Sequence, residues 1–255
     1  MIKYWTRKNQ KIATLIMKEE NDEFQAEMRT MYPNYKRTVK DAAISYYNNK
    51  VGNTWNFSLP AVFTCGKRAL ETCGNCKNGK YCYAVKDYRN PSVVAARFIN
   101  LNLAMHHMEE LENQIEASIF INERKCEKKG KESVARLHES GEFFSMEYLE
   151  MWMRIARRHP NTTFYTYSTK YEFMEEIIPV KPENLKILPS GWEGREIPEK
   201  VKEEYGETTV IQKVEDLPKG FFLCPGTGKK SDRKTCEACG WMCAKAKKIA
   251  FIYHN

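Results

Sequence analysis

The sequence predicts an α/β protein: a (βα) barrel-like or partial barrel of parallel strands, with cysteine-rich metal-binding loops attached. Three observations point there. The middle of the chain runs strand, helix, strand, helix, strand; eight cysteines fall into two groups of four within polar loops; and no long apolar run interrupts the pattern. With 255 residues, 42% of them hydrophobic, the chain can bury one large core. Read as a single domain over 1–255, it has an N-terminal segment (1–58), a first cysteine loop (59–90), a βα core (91–215) and a C-terminal cysteine module (216–255).

In chain order, Gln25–Met31 has a helical pattern and Thr54–Leu59 an extended one, while the rest of 1–58 mixes charges with short apolar stretches. After Pro91, the residues Val94, Phe98, Leu101, Met105, Met108 and Leu111 recur at three- and four-residue steps, the period of a long helix. Val134–His138 reads as a strand and Glu139-Ser-Gly-Glu142 as a polar turn, followed by a helix over Met146–Arg158. Ser145 can cap that helix, because its hydroxyl accepts a free amide of the first turn. Leu149, Trp152 and Ile155 form its buried stripe. Arg154, Arg157 and Arg158 sit at the negative end of its dipole, and Pro160 blocks continuation. Thr163–Tyr167 is the next strand, Tyr171–Ile178 a short helix, Leu185–Leu188 a third strand and Thr208–Gln212 a fourth. Such a rhythm builds parallel sheet through right-handed crossovers, with functional residues at the carboxyl ends of strands. Four strands fit a full barrel, a partial barrel or an open sheet.

No run of eighteen apolar residues offers a membrane span. The start, Met1-Ile-Lys-Tyr-Trp-Thr-Arg-Lys, lacks the apolar segment of a signal peptide, so a cytoplasmic location is expected, where thiols stay reduced. Nine cysteines there point to ligation rather than disulfides. The odd one, Cys126, lies among charges and reads as a surface thiol. The first group is Cys65-x7-Cys73-x2-Cys76-x5-Cys82; the second is Cys224-x11-Cys236-x2-Cys239-x3-Cys243. Each C-x2-C pair bends the chain so that two thiolates can face one ion, and two further cysteines complete a soft four-ligand set. Two sets of reduced core cysteines are the alternative, but these loops are rich in Gly, Lys and Asn, whereas free structural Cys is usually buried in apolar surroundings. Spacing alone does not separate Zn²⁺ from an iron–sulfur cluster.

The net charge is +8, and Lys219–Lys248 holds eight cations against two anions, a local excess of six. That stretch is either a nucleic-acid or nucleotide-binding loop or a solvated lysine face. Candidate catalytic residues are His138, Glu142, Arg136 and Lys170. The histidine could move a proton beside a carboxylate, Arg136 shares its face by strand alternation, and Lys170 with Tyr165, Tyr167 and Ser168 ends the next strand. Each has a plain alternative: Ser140-Gly141 as a turn, His138 as a satisfied hydrogen-bonding residue, Arg136 in a salt bridge, Lys170 on the surface. Pro225-Gly-Thr-Gly228 lacks the spacing of a phosphate loop. His106-His107 falls within a helical pattern, and no serine-hydrolase elbow or H-E-x-x-H site occurs.

Several stretches carry a resemblance. Ser58-Leu-Pro-Ala with Thr64-Cys65, Cys82-Tyr-Ala84, Arg136-Leu-His-Glu-Ser-Gly-Glu-Phe143, Phe164-Tyr-Thr-Tyr167, and Cys236-x2-Cys239-Gly-x2-Cys243 with Phe251 and His254 resemble the phage "gene product 88" family, in order from about residue 55 to the end. The resemblance implies a phage or prophage protein in a bacterial host and a cysteine-ligated cluster of the iron–sulfur type, with no settled reaction. The family commonly carries Asp where this chain has Glu142, which leaves that carboxylate's role open. The Cys-Tyr-Ala run and the βα rhythm are also similar to radical S-adenosylmethionine enzymes, but their C-x3-C-x2-C motif is missing. The expected function is therefore an iron–sulfur protein with one or two 4Fe–4S clusters, a redox or radical-type enzyme acting on a nucleotide or nucleic acid. The alternative is a non-enzymatic zinc- or cluster-stabilised nucleic-acid-binding protein.

Overall fold

The strand–helix rhythm folds as parallel sheet in the computed structural model, which describes residues 2, 4–47, 51–66, 82–191, 195–227 and 234–253. Strands β1 (Ile44–Ser45), β2 (Trp55–Phe57), β3 (Ser133–Leu137), β4 (Thr162–Ser168) and β5 (Leu185–Pro189) form one sheet in the order β1-β2-β3-β4-β5. The β3–β4 and β4–β5 pairs are parallel, with Arg136 opposite Tyr165 and Thr166 opposite Ile187. A second sheet, β6 (Glu207–Ile211), β7 (Phe222–Leu223) and β8 (Lys248–Ile252), has the order β6-β8-β7 and parallel pairing throughout. One isolated parallel bridge, Ser190 to Thr208, links the end of β5 to β6.

The parallel α/β expectation holds, and of the full barrel, partial barrel and open sheet left open, no closed barrel is seen among the described residues. Closure needs paired strands of matched length around the whole circuit. The outermost strands, β1 and β7, are two residues each. The series is nonetheless curled, because the Tyr167 ring of β4 meets Phe251 of β8 at 5.5 Å although β5 and β6 lie between them in strand order.

The helices are α1 (Arg7–Met17), α2 (Asn21–Met31), α3 (Pro91–His106), α4 (Met108–Lys128), α5 (Met146–Arg158), α6 (Tyr171–Ile177) and α7 (Glu199–Tyr205). Among the described residues no helix is long and apolar enough to cross a membrane. Helix α5 has the predicted bounds. The Ser145 hydroxyl accepts the Tyr148 amide at 3.2 Å, and Leu149, Trp152 and Ile155 are fully buried. At its other end the Asn184 amide donates to the carbonyls of Ala156, His159 and Thr162 at 2.9–3.0 Å, satisfying acceptors that a helix terminus leaves open. The long helical pattern after Pro91 breaks once, at His107, where the chain leaves helical geometry before Glu109 and Glu110 favour a new helix start.

The chain gathers into two units. The first is Met1–Ile44, Phe57–Ser118 and Glu139–Phe144; the second is Ser45–Asn56, Ile119–His138 and Ser145–Asn255. In the first unit α1 packs on α3, whose Asn100 side chain ties Ala43 and Ser58 together through their backbones. The second holds β3 to β8 with α5, α6 and α7.

Candidate metal centre

Side-chain alternation on β3 and β4 sorts the second unit into two faces. Phe164 turns to α5, its ring 6.4 Å from Trp152. Arg136, Tyr165 and Tyr167 take the other face, with the guanidinium 5.1 Å from the Tyr165 ring and 4.5 Å from the Tyr167 ring. Tyr165 is wholly buried. Tyr167 keeps part of its ring exposed, but its hydroxyl is buried like that of Tyr165, and neither hydroxyl makes a hydrogen bond of ordinary geometry.

The second cysteine group is built over this face. Cys224 follows β7, its amide donating to the Ala250 carbonyl at 2.9 Å. Cys236–Cys239 is a tight turn in which the Cys239 amide donates to Thr235 and the Trp241 amide to Cys236, at 3.0 and 2.9 Å. Gly240 and Trp241 are both left-handed, with φ 70° and 50°. They lead into the 3₁₀ turn Met242–Ala244, whose Cys243 is buried against Val134, Tyr165 and Ile249. The turn is pinned from outside. The Trp241 indole donates to the Thr54 hydroxyl at 2.9 Å, and the Glu237 carboxylate accepts both nitrogens of Asn53 at 3.0 Å and pairs with Lys131 at 3.1 Å. Trp241 is half-buried, packed against the core cluster around Cys243.

The thiols act on one another and on this face. The Cys224 thiol and burial push the Cys243 thiol up; the Tyr167 hydroxyl and Arg136 pull the other way. Burial raises Cys236, opposed by the Arg136 charge and the Tyr165 hydroxyl. Burial likewise raises both tyrosines well above the usual phenol range. Among the described residues, no three His, Cys, Asp or Glu side chains are arranged to hold a metal ion. Cys239 Sγ donates to the Cys236 carbonyl at 3.2 Å, and Cys224 packs beside the buried Cys243. Four thiols in one module are the donor type of a soft metal, and of them Cys243 and Cys224 pack on the tyrosine face of β4.

Cys73 and Cys76 of the first group lie outside the described residues. Cys65 and Cys82 both act on Tyr88, whose hydroxyl is held well above its usual range mainly by burial. That hydroxyl donates to the Ala61 carbonyl at 2.6 Å. Val62 is left-handed at φ 75°, rare for a β-branched residue, and its amide donates to Cys65 Sγ at 3.4 Å. Ser140 clamps the same loop, its carbonyl accepting the Leu59 amide at 2.9 Å and its hydroxyl the Ala61 amide at 3.3 Å. The Glu142 amide donates to the Thr64 hydroxyl at 3.1 Å, and its carboxylate accepts the Phe143 amide at 2.9 Å.

The four candidate catalytic residues fall in both units. Glu142 belongs to the first unit, and Arg136, His138 and Lys170 to the second. Strand β3 ends at Leu137, and His138 is left-handed at φ 55°, so alternation no longer carries it to the Arg136 face. Its Nε2 instead bonds the Tyr148 hydroxyl of α5 at 3.0 Å. Burial, and secondarily the Arg136 charge, holds His138 down at about 3, so it is neutral near pH 7. Lys170 precedes α6, its amide donating to the Ser168 hydroxyl at 3.0 Å and its ammonium 5.6 Å from the Phe173 ring. Cys126 is half-buried at the end of α4, and burial raises it. In the basic stretch, Lys229, Lys230 and Arg233 lie outside the described residues, as does His254. Lys245 pairs with Glu132 at 3.2 Å, Lys248 with Glu207 at 3.1 Å, and Lys247 donates to the Glu204 carbonyl at 3.3 Å.

The sequence model of one protein family, described as Gene product 88, matches residues 25–252. No curated protein and no solved structure matches. The chain belongs to the gene product 88 family.

Proposed function

We propose that this gene product 88 family member is an iron–sulfur protein in which Cys224, Cys236, Cys239 and Cys243 hold a cluster over Arg136, Tyr165 and Tyr167. Cys65, Cys73, Cys76 and Cys82 would supply a second ligand set. The observation that carries the reading is the spacing of two four-cysteine groups, with Cys224 and Cys243 of the second packed against the face of β4 that carries Tyr165 and Tyr167. Thiolate ligands bring negative charge into this face, and the Arg136 guanidinium offsets part of it. A purely apolar filling would not explain the hydroxyls, since a buried polar group without a partner costs about 1–3 kcal/mol. Zinc accepts the same donors. A cluster is preferred because aromatic shielding and hydrogen bonds to sulfur are the levers by which proteins set cluster potentials. When bound, such a group supplies one-electron chemistry, which makes a redox or radical-type reaction the proposed class. A nucleotide or nucleic-acid substrate is supported by the charge excess of the C-terminal module alone, and the pairing of Lys245, Lys247 and Lys248 reduces the charge available for it.

Purification without oxygen, followed by iron, acid-labile sulfide and zinc analysis, tests the reading. The expected result is a brown protein whose metal falls on Cys239→Ser or Cys76→Ser and is unchanged on Cys126→Ser, because ligation carries folding free energy at such sites. A colourless protein with stoichiometric zinc favours the structural-metal alternative. Metal that is absent, or indifferent to both cysteine groups, rejects the proposal.

A further inference from the structure

We propose that an open recess in the first unit, walled by Trp5, Phe63 and Phe98, is a binding site for an uncharged planar heteroaromatic group of the nucleobase type. The inference depends neither on the metal centre nor on the basic C-terminal stretch.

The recess has a volume of about 410 Å³, within the range of about 300–1,000 Å³ usual for small-molecule sites. Its aromatic part is Trp5, Phe63 and Phe98 of α3, whose ring centroids meet pairwise at 5.0 to 5.6 Å. Its polar part comes from α1 and the residue that ends it: Gln10, Thr14 and Lys18 recur at four-residue steps and so share a face. The aromatic wall is held in place by its neighbours. Trp5 and Phe63 each follow a non-glycine residue with left-handed backbone, Tyr4 at φ 67° and Val62 at φ 75°. Such conformations persist only where the surroundings enforce them, and they cluster at ligand sites. Here buried side chains enforce them. The Asn9 amide donates to the carbonyls of Tyr4 and Tyr88 at 3.0 and 2.7 Å, and the Tyr88 hydroxyl donates to the Ala61 carbonyl at 2.6 Å. Asn9 and Tyr88 thus tie the bend before Trp5 to the bend before Phe63. A ring that served only the core would be covered, yet Phe63 is fixed in this wall with 45% of its surface exposed.

The lining selects the ligand. Aromatic rings take a planar group by stacking, and every nucleobase has such a face. The exposed Gln10 carboxamide offers a donor and an acceptor side by side, which matches the edge of a base, and the exposed Thr14 hydroxyl can act as either. The site is not built for a phosphate. Lys18 lies 3.9 Å from the Glu20 carboxylate and at the negative end of the α1 dipole, and both offset its charge. The base, not an attached phosphate, is therefore the part recognised.

Calorimetric titration with adenosine, its 5′-monophosphate, a short oligodeoxyadenylate and indole tests the inference. Adenosine is expected to bind and its monophosphate to bind no tighter. Indole stacks but lacks the paired donor and acceptor, so it should bind about tenfold more weakly. Phe63→Leu and Gln10→Ala should each weaken adenosine by about tenfold, through the loss of a stacking or a paired contact. Both positions are exposed, so melting temperatures should stay near that of wild type. Thr14→Trp, which fills the recess from the exposed side of α1, gives a second route and should abolish binding. An oligonucleotide that binds more tightly than adenosine, and loses that binding in the same variants, identifies the ligand as a base within a strand. Equal affinity identifies it as a free nucleoside. Absence of adenosine binding at millimolar concentration overturns the inference, as does binding indifferent to all three substitutions, equal binding of indole, or tighter binding of the monophosphate.

Discussion

His138 has a left-handed backbone, a buried ring and a hydrogen bond to Tyr148. Strain of this kind costs about 1–3 kcal/mol and persists only where the surroundings enforce it. Its titration has a definite sign. The folded value lies near 3 and the unfolded one near 6.5, so below the unfolded value the unfolded chain binds the extra proton. The stability from keeping the ring neutral is fully present above that value and is lost as the pH falls toward the folded value. Down to pH about 5 the loss is about 2 kcal/mol from this residue. His138→Asn, which tolerates the left-handed backbone but does not titrate, should flatten stability between pH 7 and 5. Denaturant unfolding at the two pH values measures it, and an equally steep dependence in the variant would reject the assignment. The same residue marks where sequence reading stops. Arg136 was readable as a strand-face residue because alternation holds within β3. His138 was not, because a positive φ just past the strand end sends its ring to the helix side, and nothing in the run Leu-His-Glu announces that.

Gly141 shows the same dependence on backbone at the scale of a loop. It is left-handed at φ 85°, and a Cβ there would lie 2.6 Å from Leu59 Cβ and 2.8 Å from its carbonyl oxygen. The Ser140–Glu142 turn can clamp Leu59–Thr64 only because residue 141 has no side chain. Gly141→Ala should therefore destabilise the protein by about 2–4 kcal/mol, combining left-handed strain with overpacking. Through the Leu59–Cys65 loop it should also lower any metal carried by the first cysteine group more than that of the second, which unfolding and metal analysis in a Cys239→Ser background would separate. Elements with strong local chemistry were legible: α5 through its cap, apolar stripe and Pro160, β4 through its threonines and aromatics, and β3 and β5 through short apolar runs bounded by turns. Helix α1 was not, because its apolar residues Ile12, Leu15 and Ile16 are diluted by lysines and glutamine. Strand β8 was hidden behind the cysteine module, and its place beside β6 depends on pairing between distant segments. Whether the strands close into a barrel was not legible for a related reason. Strand count and rhythm are local, whereas closure depends on the length and pairing of edge strands.

At the scale of the whole chain, the net charge of +8 is concentrated in the C-terminal module. Composition shows the excess of six but not which cations are spoken for. Lys245 and Lys248 face carboxylates of Glu132 and Glu207, and Lys247 a backbone carbonyl. Glu132 and Glu207 lie outside the stretch that carries that excess. Of the other cations in the stretch, Lys229, Lys230, Arg233 and Lys234 are nearly contiguous in sequence, the first three lying outside the described residues. If the module binds nucleic acid, its salt dependence should come mainly from those four, because each phosphate neutralised releases counterions and steepens the fall of affinity with salt. Changing Lys229, Lys230, Arg233 and Lys234 to Ala is expected to weaken binding of a single-stranded oligonucleotide and to reduce the slope of log affinity against log salt by about 0.7 for each phosphate no longer neutralised. Changing Lys245 and Lys248 should alter that slope far less and stability slightly, as for exposed ion pairs. A fluorescence titration at several salt concentrations decides. Equal affinities and slopes for the quadruple variant and wild type would assign the charge to a solvated face and remove nucleic acid from the proposed function, leaving the metal centre to stand on its own measurements.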